Sequence, residues 1–354
     1  MVLRIASLLT VIGMCGALAA QVQGGTGRGD ASRGSPIITT FADAYRGGQG
    51  RGDAQGLMLI AQVPAMAYRG GIGRGDGRSA FEPMMVTASV YRGGQGRGDQ
   101  SGVVLPPQDL MLYVRALLEG PYDGFFGMHD SLRAKGLIPT IEPYTALGFT
   151  HAGGGGGETV AQVVLDWLPN GNVVDWMLLE LRSPTDPTQL LATRCALILQ
   201  NGLVVDTSGF TAVTFHALPV GNYHVALRHR NHLGTMTMMP VSLGGTTAFV
   251  DLVQPYTMTY GMDARKYMFP NMLLWAGDVT HDGTIKYTGA GNDRDPILSA
   301  IGGSVPTATT NGYLQEDVNM DGQAKYTGAA NDRDIILQNI GGSVPTAIRT
   351  QQLP

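Results

Sequence analysis

The chain has 354 residues, 44% of them hydrophobic, and a formal net charge of -4. That length supports two or three domains with cores of their own. The near-neutral balance, with no basic stripe, excludes the electrostatic footprint of a nucleic-acid binder.

The opening MVLRIASLLTVIGMCGALAA runs from Arg4 through an apolar stretch to small residues. This is the layout of a secretory signal over residues 1–20, cleaved near Ala20 and too short for a membrane span. Cys15 lies inside it; a lipid anchor would use such a cysteine, but Met14 stands where that signal wants a small residue. With the signal removed, Cys195 is the remaining thiol, so the exported chain has no internal disulfide and needs another brace. In its apolar setting, LLATRCALIL, Cys195 reads as a small buried hydrophobe rather than a nucleophile.

Residues 21–108 repeat with a period of 23: VQGGTGRGD begins at Val22, YRGGQGRGD at Tyr45 and Tyr91, and YRGGIGRGD at Tyr68. The glycine phrase is fixed while the apolar stretches between copies drift. Units of this size cannot bury an apolar face alone, so a stack of repeats is expected. It would place Tyr45, Tyr68 and Tyr91 in one ladder, and Arg51, Arg74 and Arg97 beside Asp53, Asp76 and Asp99 in another. The RGD tripeptides match the motif that integrins read, and GGQGRGD approaches a calcium β-roll signature with its aspartate one place too far along. A phosphate cradle is disfavoured, because no lysine follows and no strand clearly leads into the glycines. The simplest reading is a set of turns in which Arg and Asp pair along the stack.

From residue 109 to 265 the pattern changes to spaced apolar strands, DLMLYVRALLEG, VVDWMLLELR, LLATRCALIL, FTAVTFHALP, GNYHVALRHR and TTAFVDL, with turns rich in Gly, Asn, Pro and Asp. An antiparallel β-sandwich is expected. FHALPVGNYHVALRH reads as strand, turn, strand, with Tyr223, Val225 and Leu227 on the inner face. His151–Val160, HAGGGGGETV, reads as a long mobile loop. His224, His229 and His232 invite a zinc hypothesis, but His224 and His229 are an odd number apart and would face opposite sides of a strand, leaving surface histidines. Asp175, Glu180 and Glu158 supply carboxylates without spacing that demands an acid pair, and neither G-x-S-x-G nor H-E-x-x-H occurs.

Residues 271–354 contain a duplication. DVTHDGTIKYTGAGNDRDPIL begins at Asp278 and DVNMDGQAKYTGAANDRDIIL at Asp317, 39 residues later. Each opens as D-x-[NT]-x-D-G, in which oxygens at positions one, three, five and seven face a hard cation and a glycine at six makes the turn. The candidate calcium ligands are Asp278, Thr280, Asp282 and Thr284 in the first copy and Asp317, Asn319, Asp321 and Gln323 in the second. Position twelve is Gly289 or Gly328, so an insertion of about four residues, YTGA, must precede the closing acid. Asp293 or Asp295, and Asp332 or Asp334, are the candidates, each at a helix start where the dipole suits an acid. Thr280 is a poorer ligand than Asn319, so the first site should be weaker.

The pair resembles dockerin type I repeats, and its KYTGAxNDRDxIL wording, with the GGxGRGD repeats, resembles secreted cell-surface proteins of Bacteroidetes. The resemblance implies calcium binding and an extracellular or cell-surface location. It also implies a possible cohesin-like partner, although the inserted loop departs from the docking pattern. The function expected is a non-enzymatic calcium-binding scaffold or adhesion protein with a cell-surface, matrix or polysaccharide partner, and no nucleic acid or membrane span. The alternative is an accessory protein of polysaccharide degradation whose sandwich binds carbohydrate, for which Trp167, Trp176 and Tyr223 are the candidate rings.

Overall fold

The computed structural model describes residues 107–354, except 125–126 and 167–170, and the backbone of four short strands nearer the start. Those strands are β1 (Val22–Gln23), β2 (Asp43–Arg46), β3 (Met66–Arg69) and β4 (Ser89–Arg92). They pair in parallel and in that order, with Val22 opposite Tyr45, Tyr45 opposite Tyr68 and Tyr68 opposite Tyr91. Each pairing is thus offset by one 23-residue repeat. The strand residues are those just ahead of the glycine phrase, so a short strand does lead into the glycines, contrary to expectation. The signal segment, the glycine phrases and the Arg and Asp ladders lie outside the described residues.

The chain divides between Pro106 and Pro107, and Pro107–Pro354 forms one unit with no break between sandwich and duplicated module. Its main sheet has nine strands: β5 (Gln108–Arg115), β6 (Val173–Arg182), β7 (Leu190–Leu199), β8 (Leu203–Val205), β9 (Val213–Leu218), β10 (Gly221–Arg228), β11 (Thr235–Met236), β12 (Val241–Leu243) and β13 (Ala248–Asp251). The order is β11-β10-β6-β7-β8-β5-β13, with β9 also bonded to β5 and β12 to β10. All pairs are antiparallel except β5 with β13. The fold is mainly β, as the strand spacing implied.

β5 buries alternate residues, Leu110, Leu112 and Val114, as a strand with one covered face should. Central β6 is buried at every position, so both of its faces are covered. One cover is the segment carrying α1 (Ser131–Ala134) and α2 (Gln162–Asp166). There the Tyr144 hydroxyl donates to the Trp176 carbonyl (2.9 Å) and the Trp176 indole donates to the Pro139 carbonyl (2.9 Å). β10 is likewise covered on both faces, with His224 and Ala226 buried along with Tyr223, Val225 and Leu227. The turn between β9 and β10 does not close a hairpin: β9 bonds to β5 and β10 to β6. Nor does the glycine run hang free. Thr193 N–H donates to the Ala152 carbonyl (2.9 Å), tying the run to β7.

The C-terminal part begins with a hairpin of β14 (Lys266–Met268) and β15 (Asn271–Leu273). Then follow β16 (Thr284–Lys286), α3 (Arg294–Ala300), β17 (Thr309–Asn311), β18 (Gln323–Lys325), α4 (Asp332–Asn339) and β19 (Ile348–Thr350). The two copies interlock. β16 of the first pairs with β19 of the second, and β17 of the first with β18 of the second. Thr288 donates to the Pro345 carbonyl and Thr327 to the Pro306 carbonyl, the same contact made in both directions. Val279, Ile285 and Ile297 of one copy and Val318, Ile336 and Ile340 of the other share an apolar core that Leu233 from the sheet unit completes. Among the described residues no helix is long and apolar enough to cross a membrane.

Candidate metal centre

Each loop is shaped by its backbone. His281 (φ 47°) and Met320 (φ 59°) at position four, then Gly283 (φ 79°) and Gly322 (φ 86°) at position six, take left-handed conformations that curl the chain around its acids. Asp278 and Asp317 open the loops from buried positions, each accepting through Oδ2 from the position-six glycine, at 3.1 Å and 2.7 Å. Asn319 accepts from Asp321 N–H at 2.8 Å, and Asp282 from Thr284 N–H at 2.8 Å.

The structure separates the closing acids. Asp293 and Asp332 are fully buried and reach across the loops. Asp293 accepts from Thr280 N–H (3.0 Å) and Lys286 N–H (2.8 Å). Asp332 accepts from Val318 N–H (2.7 Å), Asn319 N–H (3.1 Å) and Lys325 N–H (2.7 Å). Asp295 and Asp334 do not enter the loops. Asn292 and Asn331 receive their backbone N–H groups at 2.9 Å and 3.0 Å and return a side-chain bond of 2.8 Å to each carboxylate. This reciprocal pairing is a capping arrangement for α3 and α4, and Arg294 and Arg333 pair with the remaining oxygens. The acid at a helix start was legible in the sequence; its role is to cap.

Thr284 and Gln323 enter the β16–β19 and β17–β18 ladders, and the Gln323 amide donates to Asn311 (2.9 Å), so any ligand from these two residues is a main-chain carbonyl. Two lysines were missed: Lys286 lies 3.7 Å from Asp282 and Lys325 2.9 Å from Asp321. The recurrence of Lys at position nine in both copies was the available signal.

The buried acids of the loops stand above the usual carboxylate range. Burial, with Asp293 and Asp282 nearby, raises Asp278 to about 8. Burial raises Asp293 to about 6, Asp317 to about 6 and Asp332 to about 7 against the backbone hydrogen bonds that favour the charged form. Asp278 Oδ1 and Asp321 Oδ1 are buried without a hydrogen-bond partner. Orphaned buried carboxylate oxygens call for a partner, and the donor set, oxygen throughout, suits a hard divalent cation. The carboxylates do not close into a trio with oxygens within 4.8 Å of one another.

The three histidines are buried, not exposed. His229 and His232 meet, ring nitrogens 3.0 Å apart, while His224 bonds the Thr237 carbonyl at 3.0 Å. His229 Nε2 lies 3.1 Å from Asp175 Oδ2, Arg230 donates to the same oxygen at 2.9 Å, and Tyr313 donates to Oδ1 at 2.5 Å. Burial would raise Asp175, but Arg230, His229 and Tyr313 outweigh it and hold the carboxyl at about 2. Burial, with His229 and Arg230 beside it, depresses His232 well below the ordinary histidine range. This network braces β6 against Tyr313. Glu180 is taken by Arg182 (2.7 Å) and Glu158 faces Arg194 (3.8 Å), so Asp175, Glu180 and Glu158 go to separate partners.

No family model and no curated protein matches the chain. Among solved structures, an N-terminal interface mutant of a type II cohesin–X-dockerin complex from Acetivibrio cellulolyticus is similar at 19% identity, covering 46% of this chain and 79% of that one with a TM-score of 0.25. A likeness at that score is too slight to bear on fold or function.

Proposed function

We propose that the chain is a non-enzymatic, calcium-binding scaffold or adhesion protein of the cell surface or extracellular space, in which two calcium ions brace a β-rich body without disulfides. The observation that carries this reading is the repetition of one arrangement: Asp278 and Asp293, and again Asp317 and Asp332, are buried at the two ends of a loop that turns through left-handed residues. One carboxylate oxygen in each loop is left buried and unpartnered. Two buried acids in each loop destabilise an ion-free chain, and a divalent cation removes that cost.

Asp278, Thr280, Asp282, Asp293 and the Thr284 carbonyl would hold the first ion. Asp317, Asn319, Asp321, Asp332 and the Gln323 carbonyl would hold the second. Calcium at a hundredfold excess over its dissociation constant would add about 2.7 kcal/mol per site. The partner expected is a cell-surface or matrix protein or a polysaccharide, and a cohesin-like partner remains an expectation from the resemblance of the repeats. Carbohydrate binding by the sandwich gains no support from Trp176 or Tyr223, which are 0% and 5% exposed; Trp167 lies outside the described residues.

The test is thermal unfolding of the full chain in calcium and in chelator. A calcium-dependent rise in Tm that Asp278→Asn and Asp317→Asn each reduce supports the reading, and a Tm indifferent to calcium removes it.

A further inference from the structure

Outside the calcium loops, Glu142, His151 and Cys195 each present one ligand-type atom, and the three atoms lie within 4.8 Å of one another. Glu142 and His151 stand in the segment between α1 and α2, His151 just before the glycine run, and Cys195 comes from β7. We propose that Glu142, His151 and Cys195 form a separate site for a zinc-class divalent cation. A thiolate and an imidazole select a borderline metal over calcium or magnesium. A tetrahedral zinc site sets its ligand atoms about 3.3–3.8 Å apart, so closure asks for inward movement of about 1 Å.

The surroundings hold these side chains in place. Glu142 is 3% exposed and accepts from Tyr144 N–H (2.7 Å) and Gly157 N–H (2.9 Å). His151 Nε2 lies 3.2 Å from Thr145 Oγ1 and Nδ1 3.3 Å from Thr193 Oγ1; one nitrogen exchanges its hydroxyl for the metal, and the other contact then orients the ring as an outer-shell partner does. The Cys195 thiol donates to Glu142 Oε2 at 3.4 Å. Glu158, whose charge also bears on that thiol, turns its Oε1 to Arg194 (3.8 Å) and lies outside the trio, so solvent would supply the fourth ligand. Metal binding exchanges the thiol proton, released to solvent, for a sulfur–metal bond.

The glycine run explains itself on this reading. A Cβ at Gly155 would lie 2.2 Å from the Thr193 carbonyl oxygen, and one at Gly156 (φ 91°) would lie 2.9 Å from the His151 ring. Side chains there would lift the run from β7 and displace the imidazole. The site is independent of the calcium loops and stands or falls without them.

The experiment uses the full chain carrying Cys15→Ser, so that Cys195 is the only thiol, in saturating calcium, with cobalt(II) as the probe. The expected result is one cobalt bound with a sulfur-to-cobalt charge-transfer band. Cys195→Ser abolishes the band, and His151→Ala weakens cobalt binding at least about tenfold. Gly156→Ala, which removes no ligand, weakens it as well. Zinc should raise the Tm of the Cys15→Ser chain and leave that of the half-buried His151→Ala variant unchanged. Absence of the charge-transfer band at saturating cobalt in the folded chain overturns the proposal. So does a band that His151→Ala leaves at full affinity.

Discussion

The side-chain amide of Asn231 donates to the main-chain carbonyl of Asp317 at 2.8 Å, fastening the sheet unit to the residue that opens the second loop. A second bond from the same nitrogen reaches the Gln315 carbonyl at 3.0 Å, and Arg230 donates to the Leu314 carbonyl. Asn231 and Asp317 are both fully buried, so the Asp317 carbonyl has no water to fall back on. Asn231→Leu should therefore destabilise the chain by about 1–3 kcal/mol. It should also lower calcium affinity at the second loop more than at the first. Calorimetric titration with two resolved sites checks this, and equal losses at both sites would speak against the coupling.

Asp293 and Asp332 hold the loops together through backbone N–H groups, whereas Asp295 and Asp334 cap helices near the surface. Asp332→Ala strands three backbone donors, that of Val318 buried, and should cost at least about 2 kcal/mol along with the second calcium site. Asp334→Asn keeps a capping side chain at a half-buried position outside the loop, so it should change stability by about 0.5 kcal/mol or less and leave calcium binding intact. Chemical denaturation with and without calcium separates the pair. Comparable effects would place the closing acid wrongly.

The first loop is closed by the tail of the second copy: β19 pairs with β16, and Gln351 N–H donates to the Gly283 carbonyl at 2.8 Å. Removing residues 348–354 should thus weaken calcium binding at Asp278 far more than at Asp317, the reverse of what proximity in sequence suggests. The intact comparison is the β17–β18 pair, which the truncation leaves in place. Titration of the Asp317→Asn and Asp278→Asn chains, each truncated, assigns the loss to a site.

Acid acts on the chain through two sets of groups with opposite sign. In the ion-free chain Asp278 at about 8, Asp332 at about 7, and Asp293 and Asp317 at about 6 stand above the unfolded value near 3.9. The stability they contribute is fully present below about pH 4 and is lost as pH rises from there through their raised values, about 6 to 8. His232 is depressed, so the unfolded chain takes up its proton first and stability falls as pH drops below about 6.5. Bound calcium keeps the aspartates ionised and turns protons into competitors, which reverses the sign of the first set. The Tm in saturating calcium should fall steeply between pH 8 and pH 5, while the chelated chain gives a flatter profile. Parallel profiles would contradict the assignment of these acids to the ions.

How far the sequence carried depended on the distance over which residues cooperate. The loops were legible because Asp278, Gly283, Asp317 and Gly322 act within six residues, where spacing and turn chemistry suffice. The choice of Asp293 over Asp295 was not, since both suit a helix start and only packing decides which turns inward. The strands of the sandwich were visible as apolar runs. Their pairing was not, because the PVGN turn has hairpin chemistry yet β9 and β10 part to different neighbours. An irregular cover over β6 and β10 leaves no period to read, so His224, His229 and His232 looked like surface residues. Glu142 and Cys195 are 53 residues apart, and no local pattern joins them.

The central claim is that two calcium ions occupy the paired loops. The most direct measurement is equilibrium calcium binding by the full chain, followed by calorimetry and circular dichroism. The account predicts two ions per chain, with the Asp278→Asn, Asp317→Asn double variant binding none and the Tm rising with calcium in the parent chain alone. No binding at millimolar calcium, or binding that survives in the double variant, would contradict it.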